Sequence, residues 1–242
     1  LRSGFTASLD YTFSKSIDDA ASLGGPGSNS GNNNGAQAAA ALSGLGGLAI
    51  AQNWRDARAE RSLSSFDQRH VIAARLQYTT GMGLMGGALL AGWKGAAMKD
   101  WTLAAQITAG SGLPQTPVYL AAVEGTGITG TLRPDATGIA PSGSTGGRHL
   151  NADAFAAPLA GQWGNAGRNT ITGPSQFTLN ASLARTFRVS DRLNLDLRLD
   201  STNLLNRVNF TAWNTTVNGV QFGLPASANA MRSIQTTLRL RF

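Results

Sequence analysis

Hydrophobic and polar residues alternate with a period of two along six stretches of this sequence. The stretches are residues 5–13, 70–79, 101–109, 177–187, 193–200 and 234–242. Successive side chains of a β-strand point to opposite faces of its sheet, so this period predicts six strands that each have one apolar and one polar face. Each stretch has roughly the ten residues that a tilted strand needs to cross a bilayer.

The polar faces of the last two strands carry many of the charges. The candidates for side chains that face a barrel lumen are Asp196, Arg198, Asp200, Arg239 and Arg241. We expect opposite charges on adjacent strands to pair across the sheet, and guidance of a solute is the second reading. Arg185 is an exception, because it falls on an apolar face near a strand end, where a long side chain reaches the membrane surface.

The same alternation would arise in a soluble β-sandwich, whose apolar faces form a dry core. The lengths of the connections between the strands distinguish a soluble β-sandwich from a transmembrane β-barrel. Residues 14–66, 113–176 and 203–231 form long connections at one end of the predicted sheet, and residues 80–100 and 189–192 form shorter ones at the other. Long external connections and short periplasmic turns are typical of outer-membrane barrels, so the pattern favours a transmembrane β-barrel.

The amino-acid composition excludes several kinds of chemical site and partner. The 242 residues include no Cys and only two His, so the chain has no disulfide, thiolate metal site or Cys nucleophile, and the His spacing suits no metal. Charged residues make up 14%, below the ~25% of soluble domains. The net charge is +7, but the basic residues are scattered, so nucleic acid is not an expected partner. We expect no cofactor and no resident metal.

Two groups of polar residues at the predicted connections raise the question of a site. Asp67 and His70, with Ser64 or Ser65, could suggest a hydrolase, but they lie where a connection enters a strand, and a structural role is favoured. Acidic residues could also gather around an external cation. These residues are Asp18, Asp19, Asp56 and Glu60.

Asparagines recur at a spacing of three where the fifth strand is predicted to end. They are Asn203, Asn206 and Asn209. Asn side chains commonly bond to nearby backbone groups in turns, so we expect these residues to cap the start of the connection.

Motifs spread along nearly the whole chain resemble those of Oar-like TonB-dependent receptors. Y-T-F-S-K-S-I-D-D at residues 11–19 is similar to a strand-to-loop segment of that family, and A-E-R at 59–61 with F-D-Q-R-H at 66–70 resembles its entry into the next strand. Further similar segments are S-G-L-P at 111–114, Phe155, G-N-A-G-R-N at 164–169, G-P at 173–174, N-L-L-N-R-V-N-F at 203–210 and F-G at 222–223. The connection residues marked by the resemblance are Lys15, Asp18, Asp19, Asp67, Arg69, His70, Asn203 and Asn206.

This resemblance implies the C-terminal part of a 22-stranded barrel in the bacterial outer membrane, with the N-terminal plug absent. The implied function is energy-coupled uptake or export of a large or scarce solute of unknown identity. The implied partners are the outer-membrane lipid bilayer, the barrel assembly machinery and the TonB system, which would act through the missing plug. A non-transporting outer-membrane binding or adhesion protein is the alternative.

The chain ends in a pattern that resembles the signal read by the barrel assembly machinery. The residues of this pattern are Leu238, Leu240 and Phe242. Six strands are fewer than the eight of the smallest single-chain bacterial barrels, so we expect a fragment or a truncated product that needs further strands.

Overall fold

Six long antiparallel strands dominate the computed structural model, which describes residues 4–19, 52–53, 56–80, 98–120, 123–126, 131–145, 147–190 and 193–242. The strands are β1 (Phe5–Phe13), β2 (His70–Thr79), β3 (Thr102–Gly110), β4 (Gln176–Ser190), β5 (Leu193–Thr202) and β6 (Ser233–Arg241). They pair in the order of the sequence in one sheet. The six predicted strands are therefore confirmed, although β4 continues to Ser190 because it pairs with β5 up to their connection.

The register of the sheet aligns the apolar faces of all six strands. One row runs from Phe5 through Tyr78, Leu103, Leu183 and Leu199 to Thr236. Each of these residues lies directly opposite the next, so the alternation seen along each strand becomes a continuous apolar surface. The polar residues between them form the other face of the same sheet.

Within the described residues the sheet does not close on itself. β1 and β6 are its two edges, and each has a neighbour on one side only. Every residue of both strands is exposed, including Leu9 on β1 and Leu238 on β6, which are 72% and 64% exposed. No helix in the described parts of the chain is long and apolar enough to span a membrane.

The three long connections leave the sheet at the same end and are folded. We call their described parts the cap: residues 14–19, 52–53, 56–69, 111–120, 123–126, 131–145, 147–175 and 203–232. The short paired strands of the cap are Ile17–Asp18 with Ser62–Leu63, Pro114–Gln115 with Ile171–Thr172, Tyr119–Leu120 with Thr131–Leu132, Asp135–Ala136 with Phe155–Ala156, Ser142–Thr145 with Arg148–Leu150, and Phe210–Trp213 with Pro225–Ala228. Two 3-10 turns are Ala57–Glu60 and Ala152–Ala154. Most of the shorter connection predicted over residues 80–100, and the centre of the one over 189–192, lie outside the described residues.

Candidate functional site

Four charged side chains from separate parts of the cap form one cluster. We call it the clasp: Asp18, Glu60, Arg133 and Arg168. Glu60 is 2% exposed and forms a two-pronged ion pair with Arg133, with N–O distances of 2.6 and 2.8 Å. Arg168 is 5% exposed and donates from Nε and Nη2 to the backbone carbonyl of Glu60 at 3.1 and 3.0 Å. It also donates to the backbone carbonyl of Asp18 at 2.9 Å and pairs with its carboxylate, so the first long connection is tied to the second.

Two amide side chains extend the clasp. The backbone N–H of Gln52 donates to the Glu60 carboxylate at 3.0 Å, and the side-chain amide oxygen of Gln52 accepts from the backbone N–H of Arg133 at 2.6 Å. Asn169 follows Arg168 with a positive φ of 56°, and its Nδ2 donates to the carbonyl of Leu63 at 2.7 Å. Asn tolerates this left-handed conformation better than most residues, which accounts for Asn after the clasp arginine.

The clasp holds both of its carboxyl groups in the ionised form. Burial raises the pKa of Glu60, but the hydrogen bonds and charge of Arg133, the Gln52 N–H and the charge of Arg168 outweigh it, so the net pKa lies below the ordinary value. Burial also raises the pKa of Asp18, and hydrogen bonds from Ser64 and Arg168 with the Arg168 charge again bring the net pKa below the ordinary value. Both carboxylates of the clasp are therefore charged at neutral pH and can pair with its arginines.

The possible cation site among the acidic residues of the first connection is not formed. Asp18 and Glu60 come together, but arginine guanidinium groups occupy their carboxylates. Asp56 instead caps the 3-10 turn, where its carboxylate accepts the backbone N–H of Arg58 at 3.2 Å. Among the residues that the structure describes, no group of three or more His, Asp or Glu side chains could hold a metal ion.

The residues considered for hydrolysis bind different partners. The Asp67 carboxylate is buried and accepts the backbone N–H of Ser16 at 2.6 Å, whereas His70 Nδ1 lies 2.9 Å from the hydroxyl of Tyr11. Ser64 is fully buried, and its hydroxyl lies 2.9 Å from that of Ser16. These contacts fasten the start of the first connection to its end and do not align a nucleophile with a base.

Glycine allows close backbone contacts between motif segments that are far apart in the sequence. A Cβ on Gly112 would lie 1.8 Å from the carbonyl oxygen of Gly173, so S-G-L-P and G-P meet at a point where only Gly fits. A Cβ on Gly164 would lie 2.0 Å from the carbonyl oxygen of Arg133, next to the clasp. The motif glycines therefore have a packing role in the cap.

A small hydrophobic core links the second long connection to the third. Leu150, Ile171 and Phe222 are at most 3% exposed, and the Phe155 ring meets Phe222 edge-on at 6.0 Å. Gly223 has a positive φ of 76° and lies against Leu150, which explains Gly after Phe222. This core has no periodic pattern in the sequence, because its members come one at a time from different turns.

The asparagines at the end of β5 cap the third connection as expected. Asn203 Oδ1 accepts the Arg207 N–H at 3.1 Å, and its Nδ2 donates to the Arg207 carbonyl at 2.8 Å. Asn206 Oδ1 accepts the N–H of Arg232, and Asn209, which is 3% exposed, accepts the N–H of Phe177. Asn203 and Asn206 both have positive φ, which Asn adopts in tight turns.

The predicted lumen-facing charges all lie on the polar face of β5 and β6. Asp196 pairs with Arg241 through two contacts of 2.7 Å, which confirms pairing across the sheet. Arg198 pairs at 2.8 Å with Asp200 of its own strand, because residues two apart on a strand share a face. Arg239 lies directly opposite Asp196 in the register. That this face lines a lumen stays a prediction.

The remaining marked residues are exposed. In the connections they are Lys15, Asp19 and Arg69. In the proposed assembly signal, Leu238 and Leu240 lie on the apolar side of β6, and Phe242 follows the strand with its side chain fully exposed. Their exposure leaves them accessible to a partner, and their roles stay predictions.

Comparison with protein families matches residues 1–235 to the family described as an outer membrane beta barrel domain. The match spans nearly the whole chain, including β1 to β5 and the first three residues of β6. Comparisons with curated proteins and with solved structures found no match. The family match confirms the predicted class of antiparallel outer-membrane β-barrel and the bacterial outer-membrane location.

Proposed function

The chain belongs to the outer membrane beta barrel domain family, and we propose that it is the C-terminal part of the barrel of an Oar-like TonB-dependent receptor. In the intact protein this barrel serves energy-coupled uptake or export of a large or scarce solute. The TonB system acts through an N-terminal plug, and the barrel assembly machinery inserts the strands. The chain itself has no catalytic role and binds no cofactor.

The open sheet carries this proposal. An unpaired strand edge in hydrocarbon leaves backbone groups unsatisfied at a cost of several kcal/mol each, so membrane barrels are closed. β1 and β6 both present such an edge, beside an apolar face that continues across all six strands. Further strands of the same barrel, as in a large receptor, would satisfy both edges.

The motif residues add support from the cap. Segments that resemble Oar-like receptors meet in space: A-E-R joins G-N-A-G-R-N at the clasp, and S-G-L-P joins G-P through Gly112 and Gly173. The segments that carry the resemblance are therefore far apart in the sequence but pack together in the cap.

The proposal places the cap outside the cell, and the absence of Cys from these 242 residues lets single cysteines test it against a Cys-free parent of the whole receptor. Val220 in the cap is 86% exposed, and Val189 at the opposite end of β4 is 60% exposed. In intact cells that express the whole receptor, we expect a membrane-impermeant maleimide to label Val220→Cys and not Val189→Cys. The reverse pattern would invert the orientation.

Energy coupling through the TonB system can be tested by labelling a cysteine on the polar face of β6. Gln235 lies on that face, and its neighbour Thr236 lies on the apolar face. In the whole receptor we expect Gln235→Cys to react with external maleimide faster when the TonB system is intact, because plug movement opens the lumen. Thr236→Cys serves as the matched control that stays unlabelled. Equal rates for Gln235→Cys with and without the TonB system would favour the non-transporting adhesion protein.

A further inference from the structure

Parallel backbone pairing links the second long connection to the third at one place in the cap. Val118 and Thr216 form an isolated parallel bridge. The Val118 N–H donates to the carbonyl of Thr215 at 2.9 Å, and the Val217 N–H donates to the carbonyl of Val118 at 2.8 Å. We call this place, residues 118–120 with residues 215–219, the joint. Its backbone bonds cross from one connection to the other, so it holds the two connections side by side.

The side chain of Asn218 continues this pairing by one more step. Its Oδ1 accepts the backbone N–H of Leu120 at 2.9 Å, and its Nδ2 donates to the carbonyl of Leu120 at 3.0 Å. A side-chain amide carries a donor and an acceptor next to each other, which a carboxylate does not. Aspartate at this position would therefore lose the bond to the Leu120 carbonyl and would bring a negative charge close to that oxygen.

The residue after Asn218 is Gly219, and an Asn side chain that precedes Gly loses ammonia readily. The backbone nitrogen of Gly219 attacks the side-chain carbonyl carbon of Asn218, and no Cβ hinders its approach. A C–N bond forms and closes a succinimide ring, the bond from that carbon to the NH2 group breaks, and ammonia leaves with the proton of the attacking N–H. Water then opens the ring at either carbonyl, so asparagine and water become aspartate or isoaspartate and ammonia.

The joint keeps the two reacting groups apart. The Gly219 N–H donates to the carbonyl of Thr216 at 3.0 Å and closes a turn, while the Asn218 amide is bonded to Leu120. The ring can therefore close only in molecules whose joint has opened, and the reaction rate follows the population of that open state. Asn218 is exposed, so water reaches the ring once it has formed.

We propose that Asn218 is a modification site, where deamidation permanently loosens the link between the second and third connections. Opening of the joint permits the reaction, and the product lacks the donor that bonded to Leu120. Isoaspartate in addition places an extra methylene in the backbone of the turn. The modified cap gains a negative charge, and its two connections are less firmly joined. Site and chemistry depend on the cap alone and do not rest on transport or on the orientation of the cap.

The reaction is measured in the whole protein, purified in detergent and aged at mildly alkaline pH. Mass spectrometry of the peptide that contains Asn218 detects the replacement of NH2 by OH, and chromatography separates aspartate from isoaspartate. A synthetic peptide with the sequence of residues 214–223 lacks the joint and gives the reference rate. We expect the folded protein to react about tenfold to a hundredfold more slowly than this peptide, because the open state is a minor population.

One variant should speed the reaction, and two related variants should not. Asn214 Oδ1 accepts the N–H of Thr216 at 3.1 Å, so Asn214→Ala weakens the turn of the joint and should raise the rate about twofold to tenfold. Asn214→Asp keeps the acceptor oxygen, and Asn229→Ala removes an amide of the same connection that bonds to Gln176 instead. Both should react within about twofold of the parent. Heat-modifiable migration checks assembly, and if Asn214→Ala does not assemble, urea below the unfolding range should accelerate the reaction of the parent instead.

The variant Asn218→Asp reproduces the aspartate product directly. Hydrogen exchange in the peptide that contains residues 118–120 should become about threefold faster or more in this variant, through loss of one bond across the joint. Asn229→Asp is the matched control and should leave this exchange unchanged. A folded protein that reacts as fast as the free peptide, or no conversion in parent and Asn214→Ala within about a hundred half-lives of the peptide, would overturn the site. Unchanged exchange in Asn218→Asp would overturn the loosening of the joint.

Discussion

Arg168 is expected to hold the cap together, and its removal should loosen the cap while the sheet stays intact. Its guanidinium satisfies the backbone carbonyls of Glu60 and Asp18 and the Asp18 carboxylate. Arg168→Ala leaves these acceptors short of donors in a buried site, where breaking a charged pair costs about 3–5 kcal/mol. Since 1.4 kcal/mol is a tenfold change, opening of the cap should become about 10²-fold to several thousandfold more frequent.

Hydrogen exchange followed by mass spectrometry measures this opening peptide by peptide in the detergent-solubilised protein. Exchange should accelerate in peptides that contain Leu63 and Asn169, whose groups are bonded across the clasp. Peptides from β4 and β5 should keep their protection, because their pairing does not involve the clasp.

Two variants sharpen the interpretation. Arg58→Ala removes an exposed arginine from the same 3-10 turn as Glu60 and should leave exchange unchanged. Arg168→Lys keeps the charge but loses the planar set of donors that reaches both carbonyls, so most of the loss should remain. Equal acceleration in cap and sheet peptides, or none in either, would refute the assignment of the clasp as a local fastening.

Three further predictions address the cap and the C-terminus. The pKa values of Asp18 and Glu60 lie below the ordinary values of 3.8 and 4.5, so these groups stabilise the cap fully above the ordinary values and lose this effect as the pH falls below them. Hydrogen exchange in cap peptides should rise in that low pH range, and Glu60→Gln should reduce the rise. Gly112→Ala should destabilise the cap by at least about 1–3 kcal/mol in exchange measurements, whereas Gly143→Ala, which meets only an ordinary contact, should not. Phe242→Ser should slow the appearance of the heat-modifiable barrel in outer membranes if Phe242 is part of the assembly signal, and an unchanged rate would exclude that role.

The strands could be predicted from the sequence because each has one apolar and one polar face. Successive residues of a strand therefore alternate between apolar and polar. The alternation of leucine with charged or polar residues between 193 and 200 is a local signal that needs no knowledge of partners. The order of the strands also followed, since each strand pairs with its neighbours along the chain. Strand ends were less certain, because pairing rather than pattern decides them, as where Ser190 pairs with Leu193.

The cap could not be predicted in the same way. Arg168 reaches Glu60 across 108 positions, and neither residue belongs to a periodic pattern. From the sequence, Glu60 was a possible cation ligand and Arg168 only part of a motif, and the fold shows the two side chains buried together. The motifs did contain a signal, since Glu60 lies in A-E-R and Arg168 lies in G-N-A-G-R-N. A single sequence does not show, however, which motif contacts which in the fold.

Under the proposed function, the clasp also limits how this end of the barrel can bind a solute. Carboxylates that could have met a cation are occupied by Arg133 and Arg168, and the Gly112 contact leaves no space between the segments that it joins. A solute that enters from this side must therefore bind exposed side chains of the cap, or the cap must move as a unit. Because the clasp ties together connections that leave neighbouring strands, movement as a unit would require the strands beneath to shift, whereas binding to exposed side chains would not. Recognition on the outer surface of a fixed cap is thus the less costly arrangement, and the solute-specific residues should be sought among exposed cap positions such as Lys15 and Asp19.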